Sequence, residues 1–235
     1  MATGVIFPPL MSGEACPKGL SPLDLACQRA AEGVEAGLVT YDLGAAALRA
    51  ALVLAPEVPL AKAVAMLPVC GLGFQNALGA LAPPEIAVHL DWDGGLRVNG
   101  ARCGTLSLAA STRAPETVPD WLVVALDLAL WPEDDEGGTT PDRTALYAEG
   151  CAEVQAPDLL EAWARHSLHW ISRWEAGEQK ALHDAWIGLS HEPNSPLAQQ
   201  DRSGSFLGVD EDFGLLLRDA ATTHLIPLTS LLLAR

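Results

Sequence analysis

Residues 89–108 read HLDWDGGLRVNGARCGTLSL. Asp93-Gly94-Gly95 makes a turn, LRVNG a strand, and Asn99-Gly100 a second turn of strong hairpin type, because Asn and Gly both accept the positive φ that a two-residue hairpin turn demands. The stretch therefore predicts short antiparallel strands around tight turns, ending in Gly104 beside Cys103. Taken alone it is an ordinary core hairpin. What it belongs to depends on the order of elements on either side.

Upstream, residues 21–36 predict a helix, with Ser21 as cap, Pro22 in the first turn, Asp24 three residues on and Gly37 as the stop. LVTYDL (38–43) is strand-like, and a second strand over 50–54 is stopped by Pro56 and Pro59. Residues 61–81, AKAVAMLPVCGLGFQNALGAL, are apolar at helical intervals; Pro68 either interrupts this helix or begins its main segment. PPEIAVHLDW (83–92) is a strand after a Pro-Pro break.

Downstream, TLSLAAS (105–111) and DWLVVALDLAL (120–130) are further strands. The polar loop 131–144 carries an acidic run, Glu133 to Glu136, that reads as solvated surface rather than a cation site. In 157–189 the period changes: Leu159, Trp163, Ser167, Trp170 and Trp174 follow helical spacing, and Gly177 separates a second helix running to about Ile187. The Trp stripe reads as a buried helix face rather than a cofactor box. His166 and His169 stand at i, i+3, but no third ligand lies nearby in sequence, so a metal is disfavoured. HEPNSPLAQQDRSG (191–204) is a linker by composition. After it the period returns to two: strand, tight turn at Asp210-Glu211-Asp212, strand, turn, strand. A β module of ~40 residues is too small to be stable unless packed on a larger core. The expected division is a core over 1–188 and a β module over 189–235.

The chain has 235 residues, 49% hydrophobic and 19% charged, an ordinary globular balance. Its net charge of −16, from 30 acids and 14 bases, leaves no basic stripe, which argues against nucleic acid. No apolar run of membrane-spanning length is free of Pro, Gly or charge, so no membrane span is expected. No basic region precedes the first apolar residues, so a signal peptide is not expected either. Five cysteines without a CxxC pair fit reduced thiols and a cytoplasmic setting better than a disulfide frame or structural zinc.

Three segments in order resemble the biotin protein ligases and the wider biotin/lipoate A/B protein ligase family. ALVLAPEVPLAKAVAML (51–67) is similar to the strand and helix that follow the ligases' nucleotide loop. DWDGGLRVNGARCGTL (91–106) is similar to their Lys-Trp-Pro-Asn-Asp strand and the following Lys-Leu-Ala-Gly-Ile-Leu segment. FLGVDEDFGLLLR (206–218) is similar to their C-terminal module. The resemblance covers nearly the whole chain. It implies an α+β fold, with a core of the class II aminoacyl-tRNA-synthetase/biotin-ligase type in which helices flank a mixed sheet, plus a small SH3-like C-terminal β module. Residue 21 already begins the core helix, so the DNA-binding N-terminal domain of some members is not expected.

The resemblance implies biotin or lipoate as ligand, with ATP and Mg if the chain is active. The acid is activated to an acyl-adenylate and passed to a lysine of a biotinyl or lipoyl carrier domain. A small carboxylic acid is thus a partner, and a homodimer is admitted. Such chemistry needs cations around the phosphates. Where the family has a Gly-Arg-Gly-Arg-Arg-Gly loop, this chain has TYDLGAAALRAAL, with Tyr41, Gly44 and Arg49 as candidate ligand-binding residues and Asp42 of the wrong sign. Asp91 replaces the lysine before Trp92. The critical second lysine falls in Ala-Arg-Cys: counting back from Gly104 gives Ala101, and moving the gap gives Arg102. Arg102 is taken as the catalytic candidate, with Trp92, Gly94, Asn99, Cys103 and Gly104 beside it, bordering one pocket with residues 41–50. The alternative is a non-catalytic protein of this fold that binds a small acid or a partner protein.

Overall fold

The computed structural model describes residues 4–132, 142–192, 194–199 and 202–234. The acidic run 133–136 lies outside them. Seven strands form a mixed sheet: β1 (Ser12–Ala15), β2 (Leu38–Leu43), β3 (Ala47–Leu54), β4 (Val88–Leu90), β5 (Gly95–Val98), β6 (Ala101–Ala110) and β7 (Leu122–Ala129). Their order across the sheet is β1-β2-β3-β7-β6-β5-β4, with only β1–β2 parallel.

Alternation within the strands sets two faces. Leu48, Ala50 and Leu52 of β3, Leu106 and Leu108 of β6, and Leu122, Val124, Leu126 and Leu128 of β7 face the main core. There they meet α2 (Leu60–Ala63), α3 (Met66–Leu81) and α4 (Ala156–Glu175). On the other face Ala51, Val53, Ala109, Val123 and Ala125 pack under α1 (Pro22–Ala31). Helix α1 is capped as its sequence indicates: the Asp24 amide donates to Ser21 Oγ at 3.1 Å. It stops at Ala31, short of residue 36, because Gly33 turns the chain at φ +85°.

Pro68 begins the main helix rather than breaking it, sitting in the first turn of α3 where its missing N–H costs nothing. The segment 60–81 is long and apolar enough to cross a membrane, but it is the core helix here and mostly buried. The Trp stripe of α4 is a buried face: Trp163 is fully buried, its indole N–H donating to the Cys70 carbonyl at 3.2 Å, and Trp170 donates to Asn76 Oδ1 at 2.8 Å.

Helix α5 (Gln179–Ile187) leads to a four-stranded antiparallel sheet of β8 (Pro196–Gln199), β9 (Arg202–Val209), β10 (Leu215–Arg218) and β11 (Thr223–Ile226). This is the small β module. Residues 196–199 are a strand rather than linker, because they pair with β9 from Ser205 to Arg202. Phe206, Val209, Phe213, Leu215, Leu217 and Ile226 of the module share one continuous hydrophobic core with the main sheet. Two elements differ from the sequence reading at the sheet's edges. β1, in SGEA, has no apolar alternation and forms through pairing with β2. The strand over 83–92 is only Val88–Leu90.

Candidate functional site

The face of the sheet that carries α1 is covered only in part. Beyond the helix, cross-strand partners line up as Asp42, Arg49, Asp127, Thr105 and Gly95, one each from β2, β3, β7, β6 and β5. Directly paired residues project to the same face. Arg49 donates to Asp127 at 3.0 Å, both half exposed. At the other end the β5–β6 register slips between Leu96 and Arg97, so that Arg97 faces Arg102. A bulge of this kind re-aims side chains. It brings Arg102 to the Thr105 side, where Nη2 donates to Thr105 Oγ1 at 3.3 Å, and leaves Cys103 as the extra residue, turned into the core.

Two arginines directly opposite one another repel unless anions sit between them. Asp91 and Asp93 supply those anions. Arg102 Nη1 and Nη2 donate to the two Asp93 oxygens at 3.0 and 3.2 Å, and Arg97 Nε donates to Asp91 at 2.8 Å. Gly95 makes room: a Cβ there would fall on the Asp91 carboxylate and 2.8 Å from Arg102 Cζ. The result is a partly exposed line of alternating charge, Arg97–Asp91–Arg102–Asp93, continuing across Thr105 to Asp127–Arg49.

Of the sequence candidates, this line holds Arg102 and Arg49, with Asp93, Thr105 and Asp127 between them. Tyr41 pairs with Ala50 and packs beside Phe7, ring centroids 5.9 Å apart, against the main core. Gly44 lies in the β2–β3 turn, whose strands are separated by only residues 44–46. Asn99 adopts φ +51° in its turn; its Oδ1 accepts from the Ala87 amide and its Nδ2 donates to Glu149. Cys103 is 3% exposed, and burial pushes its thiol up to about 12. Gly104 faces the core, where a Cβ would come within 3.0 Å of Leu128 Cδ1. Trp92 is buried and donates to the Phe213 carbonyl at 2.7 Å.

These residues therefore divide between the open face, with Arg49 and Arg102, and the core side, with Trp92 and Cys103. Trp92 and Gly94 line a mostly apolar crevice with Leu67, Gly71, Trp186 and Phe213, which Asp91 and Gly95 of the charged line also border and whose free interior of about 10 Å³ is at the threshold for one water. The strand period separates neighbours such as Arg102 and Cys103, because residues adjacent in sequence point to opposite faces. Sequence reasoning missed Asp127, Thr105 and Arg97. Asp127 had a signal, a lone carboxylate inside the apolar run LVVALDLAL. Among the described residues no group of three or more His, Cys, Asp or Glu side chains is placed to hold a metal.

A mixed sheet with helices on both faces and a terminal antiparallel module defines the biotin-ligase type of fold, with the hairpin and its charged line at one end. The chain belongs to the biotin/lipoate A/B protein ligase family, whose model matches residues 7–188, while residues 197–234 match a domain of unknown function. It is similar to a biotin protein ligase-like protein of unknown function from Silicibacter sp. TM1040, at 69% identity and TM-score 0.94, covering 98% of this chain and 100% of that one. It shares a fold with the biotin protein ligase of Aquifex aeolicus, at 15% identity and TM-score 0.72, covering 94% and 96%. The same holds for a biotin acetyl coenzyme A carboxylase synthetase from Helicobacter pylori, at 10% identity and TM-score 0.54, covering 92% and 99%. No curated protein matches the chain.

Proposed function

We propose that this family member binds a small carboxylic acid of the biotin or lipoate kind on the open sheet face and does not adenylate it at a ligase's rate. The observation that carries the reading is the pairing of Arg102 with both Asp93 oxygens. A guanidinium held bidentately by a carboxylate is pre-formed to exchange it for a ligand carboxylate. The same pairing opposes phosphate chemistry. Adenylation builds negative charge at the α-phosphate and needs surplus cations there. Here Arg102, Arg97 and Arg49 are each matched by an aspartate. The three-residue β2–β3 connection leaves little chain for a phosphate-cradling loop. In this reading the chain works in the cytoplasm, which an odd, scattered set of five cysteines with no CxxC pair favours.

Isothermal titration with biotin, lipoate and octanoate, with and without ATP–Mg, tests the proposal. Binding that ATP–Mg leaves unchanged, weakened about 10- to 100-fold in Arg102→Ala by loss of a charge-assisted hydrogen bond, is the expected result. Robust biotin- or lipoate-dependent exchange of pyrophosphate into ATP sinks it. That outcome selects the second reading, ATP-dependent acyl transfer to a carrier-domain lysine, which the family match over 7–188 favours. In that case Mg arrives with the nucleotide.

A further inference from the structure

The hairpin that carries the charged line is tied to the rest of the molecule from an unexpected side. The Leu90 amide donates to the Leu189 carbonyl at 2.8 Å, and the His191 amide donates to the Leu90 carbonyl at 3.0 Å. Two residues on, the Trp92 indole donates to the Phe213 carbonyl. All three partners follow residue 188, where the family match ends. Asp91 stands between Leu90 and Trp92, and Asp93 directly follows Trp92.

Phe213 is itself firmly placed. It holds φ +61°, a conformation that a bulky side chain keeps only when its surroundings over-determine it. Those surroundings are visible. Asp210 Oδ1 accepts from the Asp212 and Gly214 amides at 3.0 and 2.7 Å, and the Phe213 amide donates to the Asp210 carbonyl at 3.1 Å. The turn is clasped from outside by His183 of α5, whose Nε2 meets the Asp210 carbonyl at 3.0 Å, and by Lys62 of α2, which pairs with Asp212 at 2.5 Å. The Phe213 ring lies against His183 and Trp186, with centroids 5.5 and 6.1 Å away.

We infer that the C-terminal module is a positioning element for the charged site: the 210–214 turn, through Phe213 and Trp92, sets where Asp91 and Asp93 stand and so how Arg97 and Arg102 are held. Trp92 and Phe213 are positioning residues that touch no ligand. Trp92 reaches the core side of the hairpin while its two neighbours reach the charged side. A shift of the indole therefore moves both carboxylates together. The inference deepens the proposed function, naming what holds that site in register, and its primary test needs no ligand.

The test is ¹⁵N NMR of arginine side chains in the full chain. Arg97 Nε–H, donating to Asp91 at 2.8 Å, is the reporter. Trp92→Phe removes the indole hydrogen bond together with part of the buried ring, as the control Trp163→Phe also does, and Phe213→Ala empties the ring's seat. Trp163→Phe, which removes an indole hydrogen bond from the α3–α4 contact instead, is the control for general loosening. The Arg97 signal is expected to shift in Trp92→Phe and Phe213→Ala but not in Trp163→Phe. In parallel, lipoate or biotin affinity should fall in the first two by roughly two- to thirty-fold, the range usual for coupling carried through packed side chains. An unchanged Arg97 signal in a folded Trp92→Phe or Phe213→Ala chain overturns the inference, and so does an equal shift in the control. If neither acid binds the wild-type chain, the proposed function fails, while the Arg97 signal still decides this inference.

Discussion

Arg102 is a residue whose charge is already in use, since Asp93 lies across both of its terminal nitrogens. If a ligand carboxylate takes the place of Asp93, removing that competitor should help. Asp93→Asn is expected to tighten binding of a small carboxylic acid about tenfold, equivalent to about 1.4 kcal/mol, by titration calorimetry; a weakened Kd would show that Asp93 is part of the ligand's own shell. Cys103 gives a second residue-scale prediction. Burial raises its thiol above the usual 9.0 to about 12, as it does for Cys70. Both thiols should resist a water-soluble disulfide reagent at pH 8 until the chain unfolds, while the partly exposed Cys16 reacts first. The pH dependence follows from the sign. Between about 9 and about 12 the unfolded chain gives up these protons and the folded chain keeps them, so the stability is complete below pH 9 and declines as pH rises through that window. Denaturant midpoints from pH 8 to 11 measure it.

At the scale of elements, the α3–α4 crossing shows how much a single glycine decides. A Cβ at Gly73 would fall on the Ser167 hydroxyl and within 2.9 Å of the Ser167 backbone nitrogen. The helices cross there because neither residue has bulk. Gly73→Ala is expected to destabilise by ~1–3 kcal/mol through overpacking, read as a lower urea midpoint, with Ser167→Gly restoring part of it. An unchanged midpoint in Gly73→Ala would show that the crossing has room for the added methyl group. The apolar spacing of α4 was readable, since Leu159, Trp163, Ser167 and Trp170 all face the core. The turn at Asn99-Gly100 was readable too, both residues having positive φ as the dipeptide demands. The register slip two residues before it was not. No side-chain pattern marks a bulge whose displaced residue is a Cys with an arginine beside it. That slip is why counting along the hairpin left Ala101 and Arg102 both open, and why Arg102 and not Cys103 reaches the charged face.

At the scale of the whole molecule, the main hydrophobic core is built from both parts of the chain. Leu108 bridges to Leu232, Leu90 to Ser190, and Phe213 is 3% exposed among residues of the main core. A chain cut after Gly188 would bare this surface, including Trp92, Leu67 and Leu90. It is expected to aggregate or bind a hydrophobic dye on expression, as exposed apolar patches of this kind do; a monodisperse, cooperatively melting 1–188 fragment would refute that expectation.

Much of the architecture follows from local rules that act within a few residues: the cap at Ser21, the period of α4, the hairpin dipeptide, the alternation in β3 and β7. The likeness to the biotin/lipoate ligase family, which implied the mixed sheet, rested instead on three segments in order, 51–67, 91–106 and 206–218. The site was a different matter. Asp91, Asp93 and Arg97 lie in the quoted hairpin, but Asp127 and Arg49 come from strands 78 residues apart in sequence that pair in space. Which side of a strand a residue faces depends on register, and register depends on partners that no short window contains. Residues adjacent in sequence, such as Arg102 and Cys103, were thus sent to opposite faces. Distant ones met on the same face, because only the assembled sheet decides which charges become neighbours.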